Sequence, residues 1–342
     1  MNGNREREPN RAQLTRRELL AGLGLLAIGG CAGRASESAL ESEAETARLL
    51  DEVTGVDMHS HAAGATGRRT PAYDLAARIR SGRDDRGMSP ALERRAGHAA
   101  RRVGRVRVMR EAAAGELWRF TETRLAWFDS LVQSQGLRRA LAPGDLEAAH
   151  RDRAPAIVQA IEGCQFMEGR LERIGEVHRR GVRHLQLVHF MRSDLGDNQT
   201  ESPTQGGLTP LGRDVIAECN QLGIVVDVAH GTLAMVEGAA RISRTPLILS
   251  HTNLASRRLD PFTRLISGEH GKLVASTGGV VGIWASPTFA SLAGYVDGVV
   301  RAATPDFPQI VRLLHRKGLS DADVGKLVGG NYVRVFNQSV SR

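Results

Sequence analysis

Cysteine and aromatic side chains are both scarce in this chain, and each scarcity excludes something. Three cysteines, Cys31, Cys164 and Cys219, cannot build a disulfide framework, and their isolated positions do not resemble a zinc–cysteine cluster. Aromatic residues are 4% of the sequence. No glycine-rich phosphate loop, serine nucleophile elbow or internal repeat is present, so P-loop nucleotide chemistry, serine-hydrolase chemistry and solenoid arrays drop out. The apolar run Leu19–Ile28 is too short to span a bilayer. Balanced charge is also missing, but only locally. The net +8 traces to residues 68–110, where thirteen arginines face Asp74, Asp84, Asp85 and Glu93. With no recognition motif and few aromatics beside it, this stripe reads as a solvated helical face and not as a nucleic-acid surface.

What is present is enough apolar residue, 41%, for a sizeable core. Residues 1–31 read as an export signal. Thr15-Arg-Arg-Glu-Leu-Leu20 carries a twin arginine, and Ile28-Gly-Gly-Cys31 resembles a lipoprotein processing site that would leave a lipid on Cys31. The expectation is an exported protein, periplasmic or anchored to the membrane as a lipoprotein. A polar linker follows over 32–53, and residues 54–342 form one domain of barrel size.

That domain is organised around Gly206–Asn253, in which apolar strands ending in His230 and His251 alternate with helical patterns. Near-continuous apolar strands between helices indicate buried parallel strands, and in a (β/α) barrel the functional residues sit where strands end. The spacing predicts further strands over Thr54–His61, Leu137–Ala142, Ala156–Glu162, Val182–His189 and Gly279–Ala285. His59 and His61, two apart, point to one side of the first. Glu162 ends the third, where a carboxylate is costly to bury unless a cation meets it. His189 ends the fourth, and the polar loop Asp194–Gln205 is placed to overhang the site. Trp118, Phe120, Trp127 and Phe128 fit the buried face of a helix. Arg257, Arg258 and Arg264 follow His251, and an arginine near a cationic site suggests a fork for an anionic substrate group. An eighth strand is hard to find, Tyr295–Val300 being the sole stretch for it.

In this order the motifs VDMHSH, AIEG, LQLVH, GGLTPLGRDVIAECNQLGIVVDVAH, LILSHTN, TRLISGEH and GGNYVRVF resemble the membrane dipeptidase (renal dipeptidase-like) family of zinc peptidases, from about Val56 to Phe336. The resemblance implies a (β/α)8 TIM-type barrel of the metal-dependent hydrolase kind with two zinc ions. His59 and His61 would bind the first ion, Glu162 would bridge both, and His230 and His251 would bind the second. His189 and Arg264 would hold the substrate carboxylate and the oxyanion of a small dipeptide-like substrate.

Two departures qualify this reading. His61 stands where the family usually has Asp, which leaves the site more positive. Roughly twenty to thirty residues around the eighth strand are absent, about one strand and its loop. With them goes the family's proton-shuttling Asp, so no catalytic acid–base residue is assigned. Asp297 and Asp306 are the nearby carboxylates, and neither matches the motif. A smaller change beside these two, Cys164 where glycine is usual, is expected to crowd the bridging carboxylate. The expected function is zinc-dependent dipeptide hydrolysis with impaired activity. Two alternatives stay open: a catalytically defective protein that binds metal and peptides or amino acids, and a related amidohydrolase or lactonase. Dipeptide specificity and oligomeric state, a homodimer included, are also open.

Overall fold

The computed structural model describes residues 113–252, 264–283 and 318–341, together with 44, most of 48–59 and most of 311–315. The chain divides into two compact units, Met1–Glu45 and Thr46–Arg342, and everything described below belongs to the second. The export signal with Cys31, the whole arginine-rich stripe, His61, Arg257, Arg258, the eighth-strand segment, Asp297 and Asp306 lie outside the described residues.

The frame is a parallel α/β arrangement. Strands β3 (Gln159–Glu162), β4 (Val182–Gln186), β5 (Val225–Asp227), β6 (Ile248–Thr252) and β7 (Val280–Ile283) form one sheet in sequence order. Two short strands, β1 (Arg138–Arg139) and β2 (Ala156–Ile157), pair parallel beside it. The connecting helices are α1 (Glu116–Ser134), α2 (Asp145–Arg151), α3 (Glu172–Arg179), α4 (Pro210–Leu222), α5 (Leu233–Ile242) and α6 (Gly268–Ser276). The chain ends in α7 (Asp321–Gly325), a π-helical turn Lys326–Gly330 and α8 (Asn331–Val340). All strand pairs are parallel, and each crossover within the sheet carries a helix, as a barrel requires.

Local chemistry accounts for the sharpest boundaries. Thr209 caps α4 by accepting from Gly212 N, Pro210 occupies its first turn, and Gly223 closes it with φ 76°. Thr232 caps α5 by accepting from Met235 N. Apart from the first, the predicted strands hold in place, most of them shorter. The stretch expected over Ala156–Glu162 breaks at Val158, where the chain passes from its pairing with β1 to its pairing with β4. The strands expected to run to His189 and His230 stop at Gln186 and Asp227, because the chain turns away from the ladder before each histidine. The expected first strand is not a strand among its described residues. Val56 N instead donates to Val328 O at 2.9 Å. Gly329 makes that approach feasible, since a Cβ there would lie 1.9 Å from Thr54 O.

The core has two main parts. One fills the space between the sheet and helices α3–α6 with Leu185, Leu187, Val226, Val228, Ile216, Met235, Leu247 and Leu249. The other packs Tyr332, Val335 and Phe336 of α8 on Val225 and Ile248, the first residues of β5 and β6. Helix α8 therefore covers the N-terminal end of the strands and leaves the C-terminal end for chemistry. Of the four aromatics of α1, Phe128 is buried and Trp118 and Trp127 pack on core clusters. Phe120 departs from the expected buried face: it is 60% exposed, with the Arg124 guanidinium over its ring at 5.2 Å. Cys164 lies in a short 3-10 helix and not in an open loop. Its Sγ donates to Gln186 O at 3.4 Å, which turns it into the apolar core. Cys219 is buried in α4.

Replacing fully buried Phe336 by Ala is expected to lower unfolding free energy by about 3–5 kcal/mol, whereas Phe120→Ala stays within about 0.5 kcal/mol; urea midpoints decide. Burial raises both the Cys164 and the Cys219 thiol pKa. Both are therefore expected to resist alkylation in the native protein and to react on unfolding, read by peptide mapping after pulse labelling.

Candidate metal centre

At the C-terminal end of the strands, one carboxylate is surrounded by imidazoles. Glu162 closes β3, and its Oε1 lies 3.0 Å from His189 Nε2, 3.7 Å from His230 Nε2, 3.7 Å from His251 Nε2 and 3.9 Å from His59 Nε2. His230 and His251 bring their Nε2 atoms to 3.1 Å of each other. The His59 and His251 rings stack at 3.6 Å between centroids. Five of the six anticipated ligand and substrate positions on these histidines and Glu162 thus converge, His61 being outside the described residues. Two overlapping donor groups stand out: His59, Glu162 and His251, and Glu162, His189 and His230, the donor atoms of each within 4.8 Å of one another. His189, anticipated on the substrate, is grouped here with Glu162 and His230.

Each ring is delivered by a different piece of backbone. His230 sits in the turn after β5 with φ 67°, a left-handed conformation that costs a non-glycine residue about 1–2 kcal/mol. The turn is held from outside by the polar loop, as anticipated. Gln199 N donates to His230 O at 2.8 Å, and Asn198 bridges Gly231. The loop is itself rigidified by Asp197, whose carboxylate accepts from Thr204 N, Gln205 N and Gly207 N. Gly163, at φ 86°, lets the chain turn beneath His189, where an added Cβ would come 3.2 Å from His189 Cβ.

The electrostatics suit a cation. Burial acts to raise the Glu162 pKa, but hydrogen bonding with His189 and His230 and the charge of His59 outweigh it and hold the carboxyl well below its usual range. Burial pushes His251 down to about 2, reinforced by His59. His230 is lowered by burial first, then by Arg264 and His189. The carboxylate is therefore ionised while His230 and His251 are neutral, the protonation states a metal ligand needs. A donor set of imidazole nitrogens with one carboxylate oxygen fits zinc better than a hard cation such as calcium or magnesium, which takes oxygen ligands.

Arg264 closes one side. Its Nε donates to His230 Nδ1 at 3.2 Å, and its Cζ stands 4.6 Å from the Phe190 ring centroid. Phe190, 46% exposed, also lies tilted against the His189 ring, with 3.8 Å between centroids. It was not anticipated, and nothing beyond its place after His189 marks it. Asp227 was also missed, although the apolar run VVDVAH contains the same signal that marked Glu162: a carboxylate where burial demands a partner. Asp227 is 1% exposed and takes His184 Nε2 at 3.0 Å.

Comparison with known proteins agrees with this frame. A profile of the membrane dipeptidase family (peptidase family M19) matches residues 43–304. Dipeptidase aclJ of Aspergillus oryzae is 25% identical over 211 residues, 52% of this chain and 50% of its own length. Dipeptidase verJ of Clonostachys rogersoniana is 26% identical over 256 residues, 65% of this chain and 66% of its own. The chain thus spans about half to two thirds of the length of these curated relatives. The crystal structure of an amidohydrolase from Pseudomonas aeruginosa superposes with a TM-score of 0.63 at 16% identity, over 87% of this chain and 99% of the other. The fold is that of the family's (β/α) barrels, although the described strands do not close into a hydrogen-bonded ring. With the profile covering most of its length, the chain belongs to the membrane dipeptidase family of metal-dependent hydrolases.

Proposed function

We propose that this protein hydrolyses dipeptides at a zinc centre built on Glu162. The observation that carries the reading is the encirclement of Glu162 Oε1 by four imidazole nitrogens at 3.0–3.9 Å. The names of the relatives, dipeptidases aclJ and verJ, support the substrate class. In this reading Glu162 would serve two zinc ions, with His59 and His61 as ligands of one and His230 and His251 of the other. The chemistry supplied there would be a coordinated water of lowered pKa and a polarised scissile carbonyl.

The chain's own residues do the rest. Glu162, held ionised by its histidine neighbours, supplies the anionic bridge. Arg264, pinned between Phe190 and His230, presents a guanidinium to the substrate's free carboxylate and so selects short peptides. His189 Nε2 donates to the oxyanion that develops on the scissile carbonyl. The turn at His230 and the loop braced by Asp197 keep these groups fixed while substrate exchanges. The domain, residues 54–342, is proposed to act outside the cytoplasm, delivered by the leader 1–31 and linker 32–53 and held to the membrane through Cys31.

Zinc content and turnover on a dipeptide panel test this. The wild type is expected to hold two zinc ions, and His230→Ala to lose at least one together with turnover. Arg264→Lys is expected to raise KM about 10- to 100-fold, the loss of one charge-assisted hydrogen bond. A wild type without zinc would overturn the site. Zinc with dipeptide binding and no turnover would make the protein a binder.

A further inference from the structure

Beneath the histidine cluster lies a second polar layer that the proposed chemistry does not use. Glu162, Gln186 and Asp227 are register partners across β3, β4 and β5, so the row of polar residues continues from the site into the barrel interior. Asp227 is its hub. Its Oδ1 accepts from Ala229 N at 2.9 Å and Ser250 N at 3.1 Å, and its Oδ2 faces His184 Nε2 at 3.0 Å. The other nitrogen of His184 meets the Tyr332 hydroxyl of α8 at 3.3 Å. Ser250 in turn places its Oγ 2.9 Å from His251 Nδ1. Ser250, Asp227 and His184 are 2%, 1% and 5% exposed, so bulk water does not compete for these contacts.

We propose that Asp227 and Ser250 are positioning residues that fix the tautomer and the ring orientation of His251. His251 turns Nε2 toward Glu162 at 3.7 Å and Nδ1 toward Ser250 Oγ at 2.9 Å. A neutral imidazole carries one proton, so a ring that offers its Nε2 lone pair to a cation must carry that proton on Nδ1. Ser250 Oγ is the acceptor placed to receive it, and Asp227 fixes Ser250 by accepting from its backbone N at 3.1 Å. Asp227 contributes a second time. By binding Ala229 N and Ser250 N at once, it ties the turn that carries His230 to the strand that carries His251. The ladder between β5 and β6 has a single register pair, Asp227 with Ile248, so this side-chain bridge supplies alignment that the strands do not.

This inference rests on His251 being a metal ligand, and two readouts separate its failure from the failure of that reading. The first is the ring-nitrogen spectrum of histidine-labelled, metal-free protein. In the wild type His251 is expected to carry its proton on Nδ1, with Ser250→Ala and Asp227→Asn shifting it toward the Nε2 form and Ser250→Thr retaining it. The second is zinc affinity by chelator competition. Ser250→Ala is expected to weaken one of the two zinc sites about 10- to 100-fold, leaving the other near its wild-type affinity, and Ser250→Thr restores it. An Nε2 proton in the wild type, or unchanged zinc affinity in Ser250→Ala, overturns the proposal. The wild-type spectrum decides the tautomer even should a variant fail to fold. A wild type that carries the Nδ1 proton but takes up no zinc would support the orientation and overturn the zinc reading instead.

Discussion

The burial of one ionised carboxylate at the mouth of a parallel sheet is the constraint on which the rest depends. An isolated carboxylate in such a place is costly, and the pKa of an unpartnered one rises until it is neutral. Glu162 goes the other way because four histidines from four separate segments reach it. Each histidine needs its own support, and much of the surrounding architecture supplies it. The loop braced by Asp197 seats the His230 turn, Gly163 clears space beside His189, and Ser250 addresses the back of His251. Burial lowers the pKa of His230 and His251, so the same packing that shields the carboxylate also keeps those rings neutral.

Division of labour between the two ends of the strands follows from the same constraint. Parallel strands buried on both faces read as continuous apolar runs, and their N-terminal ends are sealed by Tyr332 and Phe336 of α8. Beneath the site, Glu162, Gln186 and Asp227 form a short polar row, and Gln159 at the start of β3 is a further buried polar side chain. At Asp227, His184 and Tyr332 polarity reaches the interior, and there the three groups satisfy one another. Phe190 and Arg264 form the rim, an aromatic face against a cation that burial has partly desolvated.

Much of this was legible in the sequence because the pattern of a buried parallel strand is strong. Valine and isoleucine runs located β4 to β7 within a few residues, and Thr209 with Pro210 marked the start of α4. The histidines at strand ends, with Glu162, pointed to one centre. The strand ends themselves were less legible. His189 and His230 lie three residues past the last ladder residue, since turning away from a sheet leaves no compositional trace when the turn is itself apolar, as in VVDVAH. Partner choice was also hidden. Whether His184 or His189 serves the centre depends on which way β4 faces, and a histidine satisfied by Asp227 looks the same in sequence as one aimed at a metal. Phe120 and Phe190 show the limit of periodicity: helical spacing did not bury the first, and no pattern announced the second.

The seam between β5 and β6 is narrow, with one register pair, the Val228 N to Ile248 O bond at 2.8 Å and the side-chain bridge from Asp227. Opening of this seam would part His230 from His251. Local unfolding here and occupancy of the centre are therefore linked equilibria, each opposing the other by mass action. A cation held by both histidines would act as a rivet across the weakest join of the sheet, so the centre that serves chemistry would also govern how often the barrel wall opens.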